Sequence, residues 1–354
     1  MSDIPSWNGP ADRRDSVSPD PAASVPEERP TRRKRRGLRI ALVTMASFVV
    51  LVGAVAAGGY AYVNHLAGSV PRIPVRFMKL DAASQSLAGK GRGAMTVLIT
   101  GKGIGPTGSM SVPENSSSGL IMLLHINANH QAGGVVSIPP QTIVRIPGHG
   151  RTKIQDALAF GGPSLLVQTV ENLTHDQIDH YARIDFAHVA NVVTVIGGVN
   201  VTLPETTTSF GHVFHVGVNH LNGITALYYA RQPSLTEEGR VLRQQSLVRA
   251  ILRKLADQHM LTHPVTMYRV LHALIGMLKV DSDFTNSELE HLAAELGGLN
   301  GNKGTFVTAP VHMRAGQVYL DRALSNKLWT AIRQDSIAAF AKRYPFTVTP
   351  AAPQ

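Results

Sequence analysis

The sequence predicts an α/β or α+β sandwich standing behind one membrane-spanning helix. Two observations carry this. From residue 94 onward, short runs of β-branched and apolar residues alternate with longer segments of helical periodicity. Before them, residues 40–63 form a single apolar or small-residue stretch without a charge. At about 1.5 Å per helical residue, that length crosses a hydrocarbon core of roughly 30 Å.

The elements follow in order. Residues 1–38 are rich in Pro, Ser, Asp and Arg and poor in large apolar residues. Such a segment buries too little surface to offset its ordering entropy, so it is expected to be disordered. It ends in Arg32-Arg33-Lys34-Arg35-Arg36, which places the N-terminus in the cytoplasm and the rest outside. The span is longer than a signal-peptide core and its leader is long, which favours an uncleaved type II anchor over a cleaved leader ending near Ala54-Val-Ala56. Residues 64–92 are expected to form a juxtamembrane connector with one strand around Val75–Leu80.

The folded domain is expected over 93–260. Strands are predicted at 94–100, 119–126 and 134–138, bounded by turn signals. A helix over 163–173 is entered by Gly161-Gly162-Pro163, with proline in the tolerated first turn. A strand follows at 178–184, a helix at 186–196 stopped by Gly197-Gly198, a strand at 199–203 and a hairpin near 210–216. Helices are predicted at 221–230, 236–260, 263–279 and 286–297, strands at 304–309 and 318–320, and a last helix at 321–337. Residues 261–345 are expected to be a helical extension packed on the domain, with a mobile tail at 346–354.

The chain has 354 residues, a formal net charge of +10 and no cysteine. Disulfides, thiolate metal sites and cysteine nucleophiles are therefore excluded. A basic balance attracts polyanions without saying which. The most informative stretch runs from Ala226 to Ile251. If its second part is helical, Arg240, Arg243, Gln244, Leu247 and Ile251 share one stripe. The stripe is cationic at its start and apolar further along, as suits a pocket for a molecule with a charged head and a greasy tail. The planar fork of arginine matches phosphate.

The order of short motifs resembles the LytR–CpsA–Psr family of membrane-anchored cell-wall proteins, over roughly residues 94–255. The anchors are Leu98-Ile-Thr-Gly101, Leu123-Leu-His-Ile126, Val136-Ser-Ile-Pro139, Lys153-Ile154, Gly161-Gly-Pro163, Ile178-Asp-His-Tyr181, Gly197-Gly-Val199 and His220-Leu-Asn-Gly223. The closing ones are Ala226-Leu-Tyr-Tyr-Ala-Arg231 and Gly239-Arg240-Val-Leu-Arg243-Gln244-Gln245. The resemblance implies an αβα sandwich with a central mixed sheet and long flanking helices. It implies a polyprenyl (pyro)phosphate lipid in an apolar cavity. It further implies transfer of a glycopolymer from that lipid to peptidoglycan, with Mg²⁺ as the usual metal. By the same match, Lys153, Arg231, Arg240, Arg243 and Gln244 hold the lipid phosphate, with Lys102 and Gln141 as additional candidates.

The acidic half of the implied site is missing. The aspartate position before the second strand is Gly119, the first loop reads Gly101-Lys102-Gly103, and the Ile-Pro-Arg-Asp segment reads Ile138-Pro139-Pro140-Gln141. Glu114 and Asp156 are the neighbouring carboxylates, and neither spacing requires them to substitute. A cationic cluster without carboxylates holds an anion without a metal, so no metal ligand is assigned. The fifteen histidines, including His212, His215 and His220, lack a supporting carboxylate pattern. The expectation is therefore a cell-membrane, type II protein of cell-wall assembly that binds polyprenyl-phosphate-linked glycan and is catalytically impaired. An active phosphotransferase acting on the same partners is the alternative. A DNA-binding regulator conflicts with the topology.

Overall fold

Residues 120–126 form a strand buried at every position, which only a sheet covered on both faces permits. That strand lies near the middle of the fold in the computed structural model. The structure describes residues 65, 68–77, 93–102, 119–130, 132–232, 235, 237–255, 264–289, 291–292 and 304–348. All belong to one compact unit, Gly59–Gln354.

The chain supplies β1 (Arg72–Ile73), β2 (Met95–Lys102), β3 (Leu120–Ile126), β4 (Gly133–Ser137), the hairpin β5 (Ile143–Ile146) and β6 (Gly150–Lys153), and α1 (Asp156–Thr174). Next come β7 (His180–Asp185), α2 (Phe186–Val195), β8 (Val199–Leu203), β9 (Thr207–Ser209), β10 (His212–Phe214) and β11 (Gly217–Leu221). Then follow α3 (Gly223–Arg231), α4 (Glu237–Leu255), α5 (Pro264–Met277), β12 (Leu278–Asp281) and β13 (Gly304–Thr308). The last elements are β14 (Val311–Arg314), β15 (Gln317–Leu320), α6 (Arg322–Arg333) and α7 (Ile337–Arg343). Seven strands make one mixed sheet in the order β1-β12-β7-β2-β3-β4-β13. β2 pairs antiparallel with β3 and parallel with β7, with Gly101 opposite Leu120 on one side and Ile184 on the other.

Alternation along the central strands sorts the core into two layers. Val97, Leu120, Met122, Leu124 and Ala182 pack against α2, α3, α4 and α5 through Val192, Tyr229, Leu247 and Ala273. Leu98, Ile121, Leu123 and Tyr181 pack the opposite way, against α1, α6 and α7 through Val167, Trp329, Ile332 and Phe340. The result is an αβα sandwich, as expected.

Four expectations are corrected. The boundary at residue 260 falls inside the sandwich, because Val280 pairs with Ala182 and Val307 with Val136. Residues 264–348 thus complete the sheet and one helical layer rather than form an extension. The connector's strand is β1 at Arg72–Ile73, parallel to β12, and residues 74–77 follow it without strand structure. The helix expected over 321–337 is two, since Asp335 takes φ 54° between α6 and α7. Within the expected tail, Thr347 is buried and Val348 bridges to Val307. The N-terminal tail at 1–38 and the span at 40–63 lie outside the described residues, and no helix among the described residues is long and apolar enough to cross a membrane.

Candidate functional site

Two helices from one covering layer, α3 and α4, build the site. Asn222 caps α3: its side-chain oxygen accepts from Thr225 N at 3.0 Å, and Thr225 Oγ1 accepts from Asn222 N at 2.9 Å. This reciprocal pair satisfies two otherwise orphaned amides. Gly223 follows because a Cβ there would meet Ala190 O at 2.2 Å and Thr194 Oγ1 at 2.3 Å. α3 therefore crosses α2 at close range, which buries Ala226, Tyr229 and Ala230 and leaves Arg231 in the last turn. The hairpin of β9 and β10 is fastened there: Ser209 Oγ donates to Tyr228 O at 2.9 Å, and Gln232 Nε2 donates to Thr207 Oγ1.

The stripe anticipated on α4 faces inward. Leu247, Ile251 and Arg243 are buried, Arg243 at only 4% exposure, and Gln244 is half-buried. The Arg243 Cζ lies 4.9 Å from the centre of the Tyr229 ring, within cation–π range. Six residues along the helix, Arg249 Cζ sits 4.3 Å over the Phe306 ring and ties α4 to β13.

On α3 and α4 several buried polar atoms lack partners: Arg231 Nε and Nη2, Arg243 Nη1 and Gln244 Oε1 have no hydrogen-bond partner and no solvent contact, while the Tyr229 hydroxyl faces Ser246. All but the glutamine oxygen can donate. A buried polar group left unpaired costs roughly 1–3 kcal/mol, more when charged, so a surplus of buried donors is a site for an anion. Burial lowers the pKa of the Arg231 and Arg243 guanidinium groups and pushes the Tyr229 hydroxyl up to about 12. Among the described residues no carboxylate lies within ion-pair distance of either arginine, and the Glu205 carboxylate that acts on Arg243 is itself exposed.

The remaining candidates fall elsewhere. Arg240 lies on α4, three residues before Arg243. Lys102 closes β2, opposite Asp185 in register. Gln141, half-buried, and Lys153, exposed, flank the point where Ile154 N donates to Thr142 O at 2.8 Å. Their hairpin packs through Val144 and Ile146 on the layer opposite α3 and α4. β2 and β7 end, and β3 starts, where β4 delivers the chain towards Gln141, so Lys102, Gly119 and Gln141 share one end of the sheet. The structure thus puts Arg231 on α3, Arg243 and Gln244 on α4, and Gln141 and Lys153 beside the β5–β6 hairpin.

Mg²⁺ takes hard oxygen ligands, chiefly carboxylates, and among the described residues Asp185, in register opposite Lys102, is the carboxylate that closes a strand at this end of the sheet, without two others beside it. Gly119 has no side chain, and the Asp156 carboxylate accepts from Thr152 Oγ1 at 2.7 Å. Among the described residues no three His, Cys, Asp or Glu come together as a metal site. Glu114 lies outside the described residues. His212 packs edge-on to Phe214, and His220 Nδ1 lies 2.9 Å from Asn200 Oδ1. Tyr229 and Ser246 escape the sequence reading. Spacing could have found Ser246, one helical turn past Arg243, but not Tyr229, which lies two residues before Arg231 and so faces another side of α3.

The fold is a three-layer α/β domain whose α3 and α4 carry buried guanidinium donors without acceptors. The LytR_cpsA_psr family model matches residues 74–337, and the chain belongs to that family. It is similar to the polyisoprenyl-teichoic acid–peptidoglycan teichoic acid transferase TagU of Enterococcus faecalis, 31% identical over 194 residues, 53% of this chain and 62% of that protein. The chain thus spans less than two thirds of that relative's length. TagU of Bacillus subtilis is 25% identical over 280 residues, 75% of this chain and 88% of the relative. In fold it is similar to the LytR-Csp2A-Psr enzyme from Actinomyces oris, with a TM-score of 0.58 at 18% identity, covering 74% of this chain and 95% of that one.

Proposed function

We propose that this chain is a type II membrane protein of cell-wall assembly that binds polyprenyl-(pyro)phosphate-linked glycopolymer outside the cell membrane and is catalytically impaired. The observation that carries the binding is the set of buried guanidinium donors without acceptors on neighbouring helices, Arg231 Nε and Nη2 on α3 and Arg243 Nη1 on α4. A phosphate head supplies the acceptors these groups lack. The apolar continuation of the stripe, Leu247 and Ile251, suits a prenyl tail, and the relatives' naming as polyisoprenyl-teichoic acid transferases supports this ligand class. Impairment rests on Gly119. Phosphoryl transfer depends on charge stabilisation that a carboxylate-held metal normally provides, and the head of β3 carries no carboxylate.

The test measures binding of a short-chain prenyl phosphate to the wild type and to Arg243→Met. Loss of one charged hydrogen-bond partner, about 1.5–3 kcal/mol, corresponds to roughly 10–100-fold weaker binding. Equal affinities would remove the phosphate site. Incubation with a lipid-linked glycan, peptidoglycan and Mg²⁺ addresses the second half, and metal-dependent turnover would favour an active phosphotransferase instead. A reporter fused after residue 64 that works only in the cytoplasm would overturn the topology.

A further inference from the structure

Between Glu205 and Arg231 the chain carries no Asp, Glu, Lys or Arg. The same segment exposes five large apolar side chains: Phe210, Val213, Val216, Val218 and Ile224, with Val216 at 62% and Val218 at 71%. Single exposed apolar residues are ordinary, but an uncharged run presenting five of them marks an interaction surface. They stand on the β9–β10 hairpin, in the link that follows it (Val216), on the start of β11 and on the first turn of α3.

The tip of the first hairpin sharpens the point. Phe210 and Gly211 form its two-residue turn with φ of 49° and 77°. Such turns select Asn-Gly, because both central residues take positive φ. A bulky aromatic there is strained, and its half-exposed ring lies 5.3 Å from the Tyr228 ring between centroids. The fold tolerates an unfavourable backbone in order to display a phenyl ring.

The same unit walls the anion site. Phe214 on β10 is fully buried with its ring 6.0 Å edge-on to Tyr229, whose other neighbour is the Arg243 guanidinium. The hairpin is thereby packed on the same tyrosine that the Arg243 guanidinium covers.

We propose that this segment is the bilayer-contacting surface of the protein. Phe210, Val213, Val216, Val218 and Ile224 enter the boundary between head groups and acyl chains, while Arg231 and Arg243 wait behind them for a lipid phosphate. Apolar and aromatic side chains favour that boundary, and a segment without fixed charge enters it without desolvating any. The occupant is a lipid surface rather than a protein because a site taking a prenyl phosphate must draw it from a bilayer. In this the inference rests on the lipid-phosphate reading above.

The absence of cysteine makes the test clean. Val216→Cys in the full chain, labelled with an environment-sensitive fluorophore, is placed in vesicles of equal parts phosphatidylglycerol and phosphatidylcholine. Met313→Cys, 67% exposed on β14, serves as the control. Insertion shifts the Val216→Cys emission to the blue and shields it from aqueous iodide at least about threefold better than the control. Equal quenching of the two labels overturns the proposal. Phe210→Asn suits the left-handed turn and so preserves the fold. It is expected to slow uptake of polyprenyl phosphate from vesicles by about tenfold and to leave short-chain prenyl phosphate affinity in solution unchanged. Unchanged uptake would remove Phe210 from the surface. A shielded label on a protein that binds no short-chain prenyl phosphate would uphold the membrane contact and sink the phosphate reading.

Discussion

Tyr229 is buried beneath the Arg243 guanidinium, and burial holds its hydroxyl protonated up to a pKa of about 12. In an unfolded chain tyrosine titrates near 10. Its folded pKa is raised, so between these values the native state binds more protons than the unfolded state. The associated stability is complete below about pH 10 and is lost as pH climbs towards 12. The expected outcome is that Tyr229→Phe flattens the decline in denaturant midpoint above about pH 10, by an amount on the order of 2 kcal/mol. An identical alkaline decline in the variant would place the titrating group elsewhere. Gly119 is the second informative single residue. A Cβ built on it meets no atom within 4 Å, and its φ is not in the left-handed region. Gly119→Asp is thus sterically free, and returns a carboxylate to the place where the family resemblance expects one. If the missing acid is what impairs the chain, the variant gains Mg²⁺-dependent transfer measurable with radiolabelled lipid-linked glycan. A variant that folds, binds lipid and still transfers nothing would show that Gly119 is not the sole lesion.

Helices α2, α3 and α4 show how an element can be legible while its purpose is not. The His220-Leu-Asn-Gly223 motif marks a helix start in sequence, and the structure gives each residue a reason: Asn222 caps, and Gly223 lets α3 approach Ala190 O. The heptad-like stripe on α4 was readable from the spacing of Arg243, Leu247 and Ile251, and these positions are buried. Central strands were readable as apolar runs, and strand β3 lies one residue from its expected start. The β5–β6 hairpin was not, because Thr142-Ile-Val-Arg-Ile-Pro is short and its partner Gly150-Arg-Thr-Lys is polar. Ser246 and Tyr229 were hidden because hydroxyls next to arginines resemble any solvated face until burial is known. Gly223→Ala tests the element-level reasoning. A methyl group pressed against Ala190 O forces α3 outward, at a cost of typically 1–3 kcal/mol. Both the thermal midpoint and prenyl phosphate affinity should fall, because Tyr229 and Arg231 ride on the displaced helix. A fall in stability alone would mean that the site does not depend on the α2–α3 crossing.

At the scale of the molecule, the sandwich is closed by chain that the motif-bearing region does not contain. β12 inserts between β1 and β7 and is fastened by Asp281, whose Oδ2 accepts from Tyr181 N at 2.9 Å. β13 adds the far edge beside β4, with Phe306 under Arg249. α6 and α7 cover one face through Leu328, Trp329, Ile332, Ile337 and Phe340. The turn between these helices is locked to the sheet by Asp335, with Oδ1 2.7 Å from His125 Nε2 and Oδ2 accepting from Ala128 N at 2.9 Å. His125 is fully buried and its Nδ1 lies 3.0 Å from Thr96 Oγ1, so the lock reaches the centre of the sheet. A chain stopped at residue 260 would keep every phosphate-site residue yet lose these strands and helices. Leu98, Ile121, Leu123 and Val136 would then face water over much of one layer, an exposure of about 25 cal/mol per Å² that a marginally stable domain does not survive. Such a truncation is expected to bind a hydrophobic dye, to lose near-ultraviolet circular dichroism and to unfold without a cooperative transition, whereas a chain stopped at residue 348 unfolds cooperatively. If the 260-residue form melted cooperatively and still bound prenyl phosphate, β12, β13, α6 and α7 would be an accessory layer, and the site would be self-sufficient in its own half of the sandwich.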